Sequence, residues 1–323
     1  MQSLSETIHN FLETIKLARS HNTYLSYRNA MRNFTLCLED HGIYLENAEI
    51  HSISEEVIAW FAEDLKNYSP ATEQLYITAV KSFFDYLVAE ELTTITLTKI
   101  KLLIRQRTRR MGKRLPQFPA DSISQILEDY EKAGESNIQD EKIQLRALRD
   151  RAFLITLADT GLRVHEACAL RRGDIDWNEG KALIIGKGDQ QAIVRFSRRA
   201  QNAIRQYLQK RSSLDGKSGK TLASLPLFAR HDKGAGKKIK PITPSTGRNI
   251  VAERVREVFG EEAVGTITPH SFRHYFVTRV LTTTGNLKLA QNLARHKNIA
   301  VTQRYAHLSN DELDKGYWEV FED

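Results

Sequence analysis

Six side chains in this sequence could act together on a phosphate: Arg163, Lys187, His270, Arg273, His296 and Tyr305. An arginine presents a planar fork of donors that suits a bidentate hold on phosphate oxygens. Arg163 follows Thr160-Gly161 at a turn into a helical stretch, where a guanidinium can point away from the domain face. Lys187 stands in GKGD with glycine on both sides, so a ligand backbone could approach it closely. His270 and Arg273 are three apart in TPHSFRHYF and share one helical face. Thr268 and Pro269 suit the cap and first turn of that helix, and a helix start favours anions. Tyr305 lies in HKNIAVTQRYAH, with His296 nine residues before it. A phenol, with a pKa of about 10, is a poor nucleophile near neutrality. It attacks phosphorus only where a positive pocket aligns the phosphate and stabilises the charge that develops.

Each residue also has an ordinary structural explanation when taken alone. Arg163 and Glu166 make a surface i,i+3 ion pair worth about 0.2–0.5 kcal/mol. Lys187 is a solvated turn lysine, His270 and Arg273 a satisfied histidine beside a solvated arginine, and Tyr305 a half-buried core aromatic. The balance of charge supports an acidic partner. The 323 residues carry a net +7 with a pI near 9.3. The excess is clustered, because KIKLLIRQRTRRMGKR (99–114) has eight basic side chains and no acidic one. These are Lys99, Lys101, Arg105, Arg107, Arg109, Arg110, Lys113 and Arg114, a candidate contact for a polyanion. The C-terminal stretch NDELDKGYWEVFED is the opposite, with six acids and one lysine. Two distant cysteines, Cys37 and Cys168, offer neither a disulfide framework nor a metal spacing, which fits a reducing cytosol. No GxxxxGK[ST] loop occurs, and no apolar window of about 18 residues suggests a membrane span or signal peptide. The expectation is a soluble, cytoplasmic protein without metal or cofactor.

The elements that must position these side chains divide the chain in two. Residues 1–98 read as four helices with no strand alternation, entered at Ser20 to Thr23, at Ser52 or Ser54, and at Ser69. The basic stretch and the prolines of RLPQFP make a linker over 99–117. The remainder, 118–323, begins with a helix over 121–133 and a long apolar-faced one over 145–172. KALIIG and QAIVRF around GKGDQ then read as a β-hairpin, followed by helices and a tail over 306–323. The fold class expected is mainly α with a small β-hairpin or sheet.

Taken in order, TGLRVHEACALRRGDID, GKGDQQAIVRF, TPHSFRHYFVTRVL and LARHKNIAVTQRYAHLS resemble the successive boxes of the tyrosine recombinases, the phage-integrase family, and most closely its two-domain Xer type. SHNTYLSYRNAMRNFTLCLEDHG resembles the entry into that family's helical, SAM-like core-binding domain. The resemblance covers nearly the whole chain and departs at one visible place: Ala294-Arg295 precedes His296 where the family usually has Leu-Gly. It implies that Arg163 and Arg273 clamp the scissile phosphate and that His270 and His296 donate to it or move protons. By the same resemblance Lys187 protonates the departing 5′ oxygen, Glu166 orients its neighbours, and Tyr305 forms a 3′-phosphotyrosine without metal or ATP.

The resemblance further implies an α+β catalytic domain and duplex DNA with a specific site as partner. A homo-tetramer would synapse two sites through a Holliday junction, with a paralogous recombinase as a possible partner. The tail, with Trp318 and Phe321, would dock on a neighbouring protomer or pack on its own domain. The first helix begins by about residue 4, which favours a simple Xer-type reaction over integration that needs an additional arm-binding domain. Dimer resolution and mobile-element integration or excision both use this architecture. Two rivals stay open: a type IB topoisomerase that relaxes supercoils, and a DNA-binding protein that marks a site without catalysis.

Overall fold

The computed structural model describes residues 3–109, 120–133, 140–185, 191–232, 238–296 and 302. The chain forms two compact units, Met1–Arg114 and Leu115–Asp323.

The first unit is built from α1 (Leu4–Ala18), α2 (His21–Asp40), α3 (Val57–Asp64), α4 (Pro70–Ala89) and α5 (Leu97–Arg107). Three starts follow local chemistry visible in the sequence. Ser3, Ser20 and Ser69 each accept a hydrogen bond from the N–H three residues on, and Pro70 takes the first turn of α4. α3 differs: it starts at Val57 behind Glu56 with no side-chain cap, although the Ser54 hydroxyl accepts from Glu56 N–H at 3.3 Å. The faces that meet are aromatic. Phe34 packs edge-on to Phe61 at 5.3 Å and Phe11 to Phe83 at 5.4 Å, an arrangement that adds attraction beyond area burial. α5, which includes the first part of the basic stretch, belongs to this unit. Ile100 is fully buried in the same core, with Leu97, Leu103 and Ile104 packed against it.

The second unit contains α6 (Ala120–Ala133), α7 (Glu141–Thr160), α8 (Val164–Ala169), β1 (Ile175–Asp176), β2 (Lys181–Ile185), β3 (Gln191–Arg195), α9 (Arg198–Gly216), α10 (Pro244–Phe259), α11 (Pro269–Thr284) and α12 (Leu287–Ala294). The single helix expected over 145–172 is two helices. α7 ends at Gly161, whose φ of 59° is left-handed, and the chain restarts as α8. Glycine is required there twice over, since a Cβ would also lie 2.4 Å from the Phe276 ring. The expected hairpin is present as β2 and β3, antiparallel with Ile185 opposite Gln191, and β1 adds a third strand beside β2. β1 is only two residues long, too short to leave an alternation in the sequence. The inward residues Ala182, Ile184 and Val194 join a core with Phe153, Phe228 and Phe272, so the sheet, α7, α10 and α11 share one apolar centre.

Candidate active site: a cationic pocket at four helix ends

The pocket forms where the end of α7, the start of α8, the start of α11 and the end of α12 meet. Arg163 stands immediately before α8, and Glu166 in the first turn reaches back to it. The Glu166 carboxylate accepts from Arg163 N–H at 2.8 Å and from Arg163 Nη1 at 3.0 Å. An acidic side chain at the third helical position satisfies an otherwise orphaned N–H and favours the positive end of the helix dipole. Here it also holds the arginine side chain. Burial works to raise the Glu166 pKa, but Arg295 and Arg163 outweigh it and hold the carboxyl below its ordinary value.

Arg273 is 3% exposed, and its two terminal nitrogens donate to the carbonyls of Gly161 and Ala294. Those carbonyls close α7 and α12, where helices have unpaired acceptors and partial negative charge. The cation is therefore seated by two helix ends. Burial, then the neighbouring charges of Arg163 and Arg295, lower its pKa from the usual arginine range to about 9. It still carries its charge at neutral pH.

His270 lies in the first turn of α11, its ring edge-on to His274 at 4.1 Å. Burial, Arg273 and Arg163 lower its pKa. His296 follows α12, and its Nδ1 is 2.9 Å from the hydroxyl of Thr302, which is fully buried. That contact occupies Nδ1 and leaves Nε2. Burial, then Arg273 and Arg163, lower the His296 pKa to about 4, and His274 is lowered to about 4 as well. At neutral pH the histidines are uncharged donors, and the positive charge of the pocket resides on the guanidiniums. Such a concentration of cations favours an anion there.

Four of the six side chains singled out in the sequence, Arg163, His270, Arg273 and His296, are thus brought together, with Glu166 between them. Lys187 and Tyr305 lie outside the described residues, as do Arg110, Lys113, Arg114 and the tail over 306–323 with Trp318 and Phe321. In the basic stretch Lys101, Arg105 and Arg107 are exposed. Lys99 pairs with Glu55 at 3.1 Å. Arg109 is engaged with the buried Glu73, which accepts from its Nε and, at 2.9 Å, from its N–H. The sequence reading missed the Gly161 carbonyl and Thr302. No residue-type signal points to the first, because a backbone oxygen has none. Thr302 stands three before Tyr305, which gave no sign of a histidine partner.

These features define a mainly helical protein with a small sheet and, at its helix ends, a cluster of three arginines and two histidines around Glu166. The chain belongs to the phage integrase family, the tyrosine recombinases, enzymes that cut and rejoin DNA: the family profile matches residues 118–312, and that of the phage integrase N-terminal SAM-like domain matches residues 8–91. Among its relatives are proteins called tyrosine recombinase XerC. That of Bacillus pumilus is 29% identical, aligned over 98% of this chain and 96% of its own. That of Thermodesulfovibrio yellowstonii is 28% identical over 96% of this chain and 94% of its own. The fold is similar to that of the Tn1549 transposon integrase in complex with transposon right end DNA, with a TM-score of 0.67, 19% identity and coverage of 98% and 99% of the two chains. It is also similar to that of the XerH site-specific recombinase bound to palindromic difH substrate, with a TM-score of 0.66, 19% identity and coverage of 98% and 95%.

Proposed function

We propose that this chain is an Xer-type site-specific recombinase that cuts and rejoins duplex DNA through Tyr305. The observation that carries the reading is the pocket itself: two arginines and two uncharged histidines, from three different helices, converge where helix ends hold Arg273 in place. In the proposed reaction the Tyr305 oxygen attacks the scissile phosphorus, and the bond from phosphorus to the 5′ oxygen breaks. The phenolic proton passes to a neighbouring base, the role we give to His270, and Lys187 gives a proton to the leaving 5′ oxygen. Arg163 and Arg273 hold the non-bridging oxygens and stabilise the charge that builds on them, and His296 donates from Nε2. The 3′-phosphotyrosine preserves the phosphodiester energy, so a second 5′ hydroxyl reverses the step without ATP.

DNA of a specific sequence is the substrate in this reading. The exposed Lys101, Arg105 and Arg107, together with Lys99, Arg109, Arg110, Lys113 and Arg114, lie along its backbone, giving salt-dependent affinity. Four protomers, all of this chain or shared with a paralogue, pair two sites, with the tail over 306–323 on the neighbouring protomer. The helical first unit, with α5 as its last helix, and the catalytic part 118–323 both bind the duplex, in a nucleoid-associated, cytoplasmic protein.

Covalent trapping tests the reading. The protein and Tyr305→Phe are incubated with nicked duplexes from around the protein's own gene and run on a denaturing gel. A DNA-linked band that depends on Tyr305 is the expected result. Site-specific binding without an adduct would favour the site-marking alternative. Relaxation of supercoiled DNA without joining of two sites would favour the topoisomerase.

A further inference from the structure

Arg295 sits where the backbone asks for glycine. It caps α12 at φ 58°, a left-handed conformation that costs a residue with a side chain about 1 kcal/mol. The turn is complete without the side chain. Arg295 N–H donates to Asn292 O at 3.0 Å, His296 N–H to Gln291 O at 3.1 Å, and Gln291 Nε2 to His296 O at 3.0 Å. Nor does the side chain escape to solvent. It is 13% exposed, and its Nη2 donates to Glu166 at 3.0 Å and lies 3.4 Å from Gly161 O. Its Nε and Nη1 are buried with no hydrogen-bond partner among the described residues. A left-handed backbone and two unpaired buried donors are both unfavourable, and such features persist where the surroundings or the function require them. What they secure here is a second guanidinium on the carboxylate that holds Arg163.

We infer that Arg295 is a positioning residue of the phosphate pocket: it fixes Glu166, and through Glu166 the Arg163 guanidinium, and it adds a third guanidinium to the site. The inference rests on reading the pocket as the place where the DNA phosphate is cut. Its charge is felt by the groups around it, since Arg295 is among the causes that lower the pKa of both Arg273 and His296. The Gly161 carbonyl, which accepts from Arg273, is the same oxygen that Arg295 approaches. The two arginines are thereby registered against one atom.

Arg295→Gly and Arg295→Lys separate this role from a merely structural one. Three quantities are read in the full chain: the melting temperature, the rate of adduct formation on a nicked duplex at saturating DNA, and the titration of the His296 ring by NMR in the DNA-free protein. The glycine variant is expected to melt no lower than the parent, because its turn is relieved. It is expected to cut about tenfold more slowly at saturating DNA, and lysine should recover most of the rate. The His296 titration should move up in the glycine variant, because a positive neighbour is gone, and stay in place with lysine. A glycine variant that cuts at the parental rate with an unmoved His296 titration would overturn the inference. So would an equal loss of rate and of melting temperature in both variants. If the parent itself forms no adduct on DNA that it binds specifically, the reading of the pocket fails. The His296 titration, which needs no DNA, still decides whether Arg295 acts on its neighbours.

Discussion

Replacing Glu166 with glutamine preserves shape and removes one charge, and the structure sets the size of the effect. The carboxylate accepts three bonds, from Arg163 N–H, Arg163 Nη1 and Arg295 Nη2. Glutamine cannot keep all three, because one of its terminal atoms donates where an oxygen now receives. Bonds to charged groups contribute about 1.5–3 kcal/mol each when buried. The Arg163 side chain is 42% exposed, so solvent screening reduces its share to about 0.5 kcal/mol. Arg295 is 13% exposed and counts near the low end of the buried range. The backbone and Arg295 bonds fall on one oxygen, which the amide keeps as an uncharged and weaker acceptor, so Glu166→Gln should destabilise the second unit by about 1–2 kcal/mol near neutral pH. The acid response has a definite sign. The folded pKa of Glu166 lies below its ordinary 4.5, so its contribution is fully present above that value and is lost as pH falls through the lowered folded one. Urea unfolding of the parent and Glu166→Gln, from about pH 7 down to about pH 3, should therefore show a gap that closes in acid. A gap under about 0.5 kcal/mol at neutral pH, or one that does not narrow in acid, would refute the assignment of Glu166 as the hub of the two arginines.

Gly161→Ala should lower stability by about 2 kcal/mol or more, since it meets both a φ of 59° and the Phe276 ring, and thermal melting reads it directly. Thr302→Val keeps shape but removes the partner of His296 Nδ1; it should cost about 1 kcal/mol and slow adduct formation, with single-turnover cleavage as the check. His296 and His274, both lowered to about 4, take up fewer protons folded than unfolded below their ordinary 6.5. Stability should thus fall as pH drops from about 6.5 towards 4, and denaturant midpoints across that range would expose a flat response as contrary to the burial of these rings. Binding of an anion should reverse the same shifts, so the His296 ring should titrate at a higher pH when a phosphodiester is bound, as NMR with and without DNA would record.

Much of this was legible because it is local chemistry. Ser3, Ser20 and Ser69 announce helix starts through bonds made within three residues, and the spacing of His270 and Arg273 places both on one face whatever else the chain does. The hairpin showed because both strands are five residues long, whereas β1 has too few residues for a pattern. The break at Gly161 was masked by apolar spacing that continues from α7 into α8, and glycine alone does not say that Phe276 will occupy the space of its missing Cβ. Residue order pointed to Arg163, His270, Arg273 and His296, which the fold brings together, but not to their electrostatics. Nothing in the letters places Arg273 on two backbone carbonyls or gives Arg295 a left-handed backbone. Those are properties of the assembled tertiary structure.

The seat of Arg273 has a consequence for when the chain can act. Its two carbonyl supports belong to Gly161 and Ala294, and the arginine lies between them in sequence. A chain made from its N-terminus carries Arg163 and the Gly161 oxygen well before the Ala294 oxygen exists. Until then the guanidinium lacks half of its seat and the carboxylate of Glu166 lacks Arg295. The pocket that would grip a phosphate is therefore among the last features to be completed during synthesis. An enzyme that breaks DNA strands gains a safeguard from this, because a product terminated before Ala294 lacks half of the seat for Arg273.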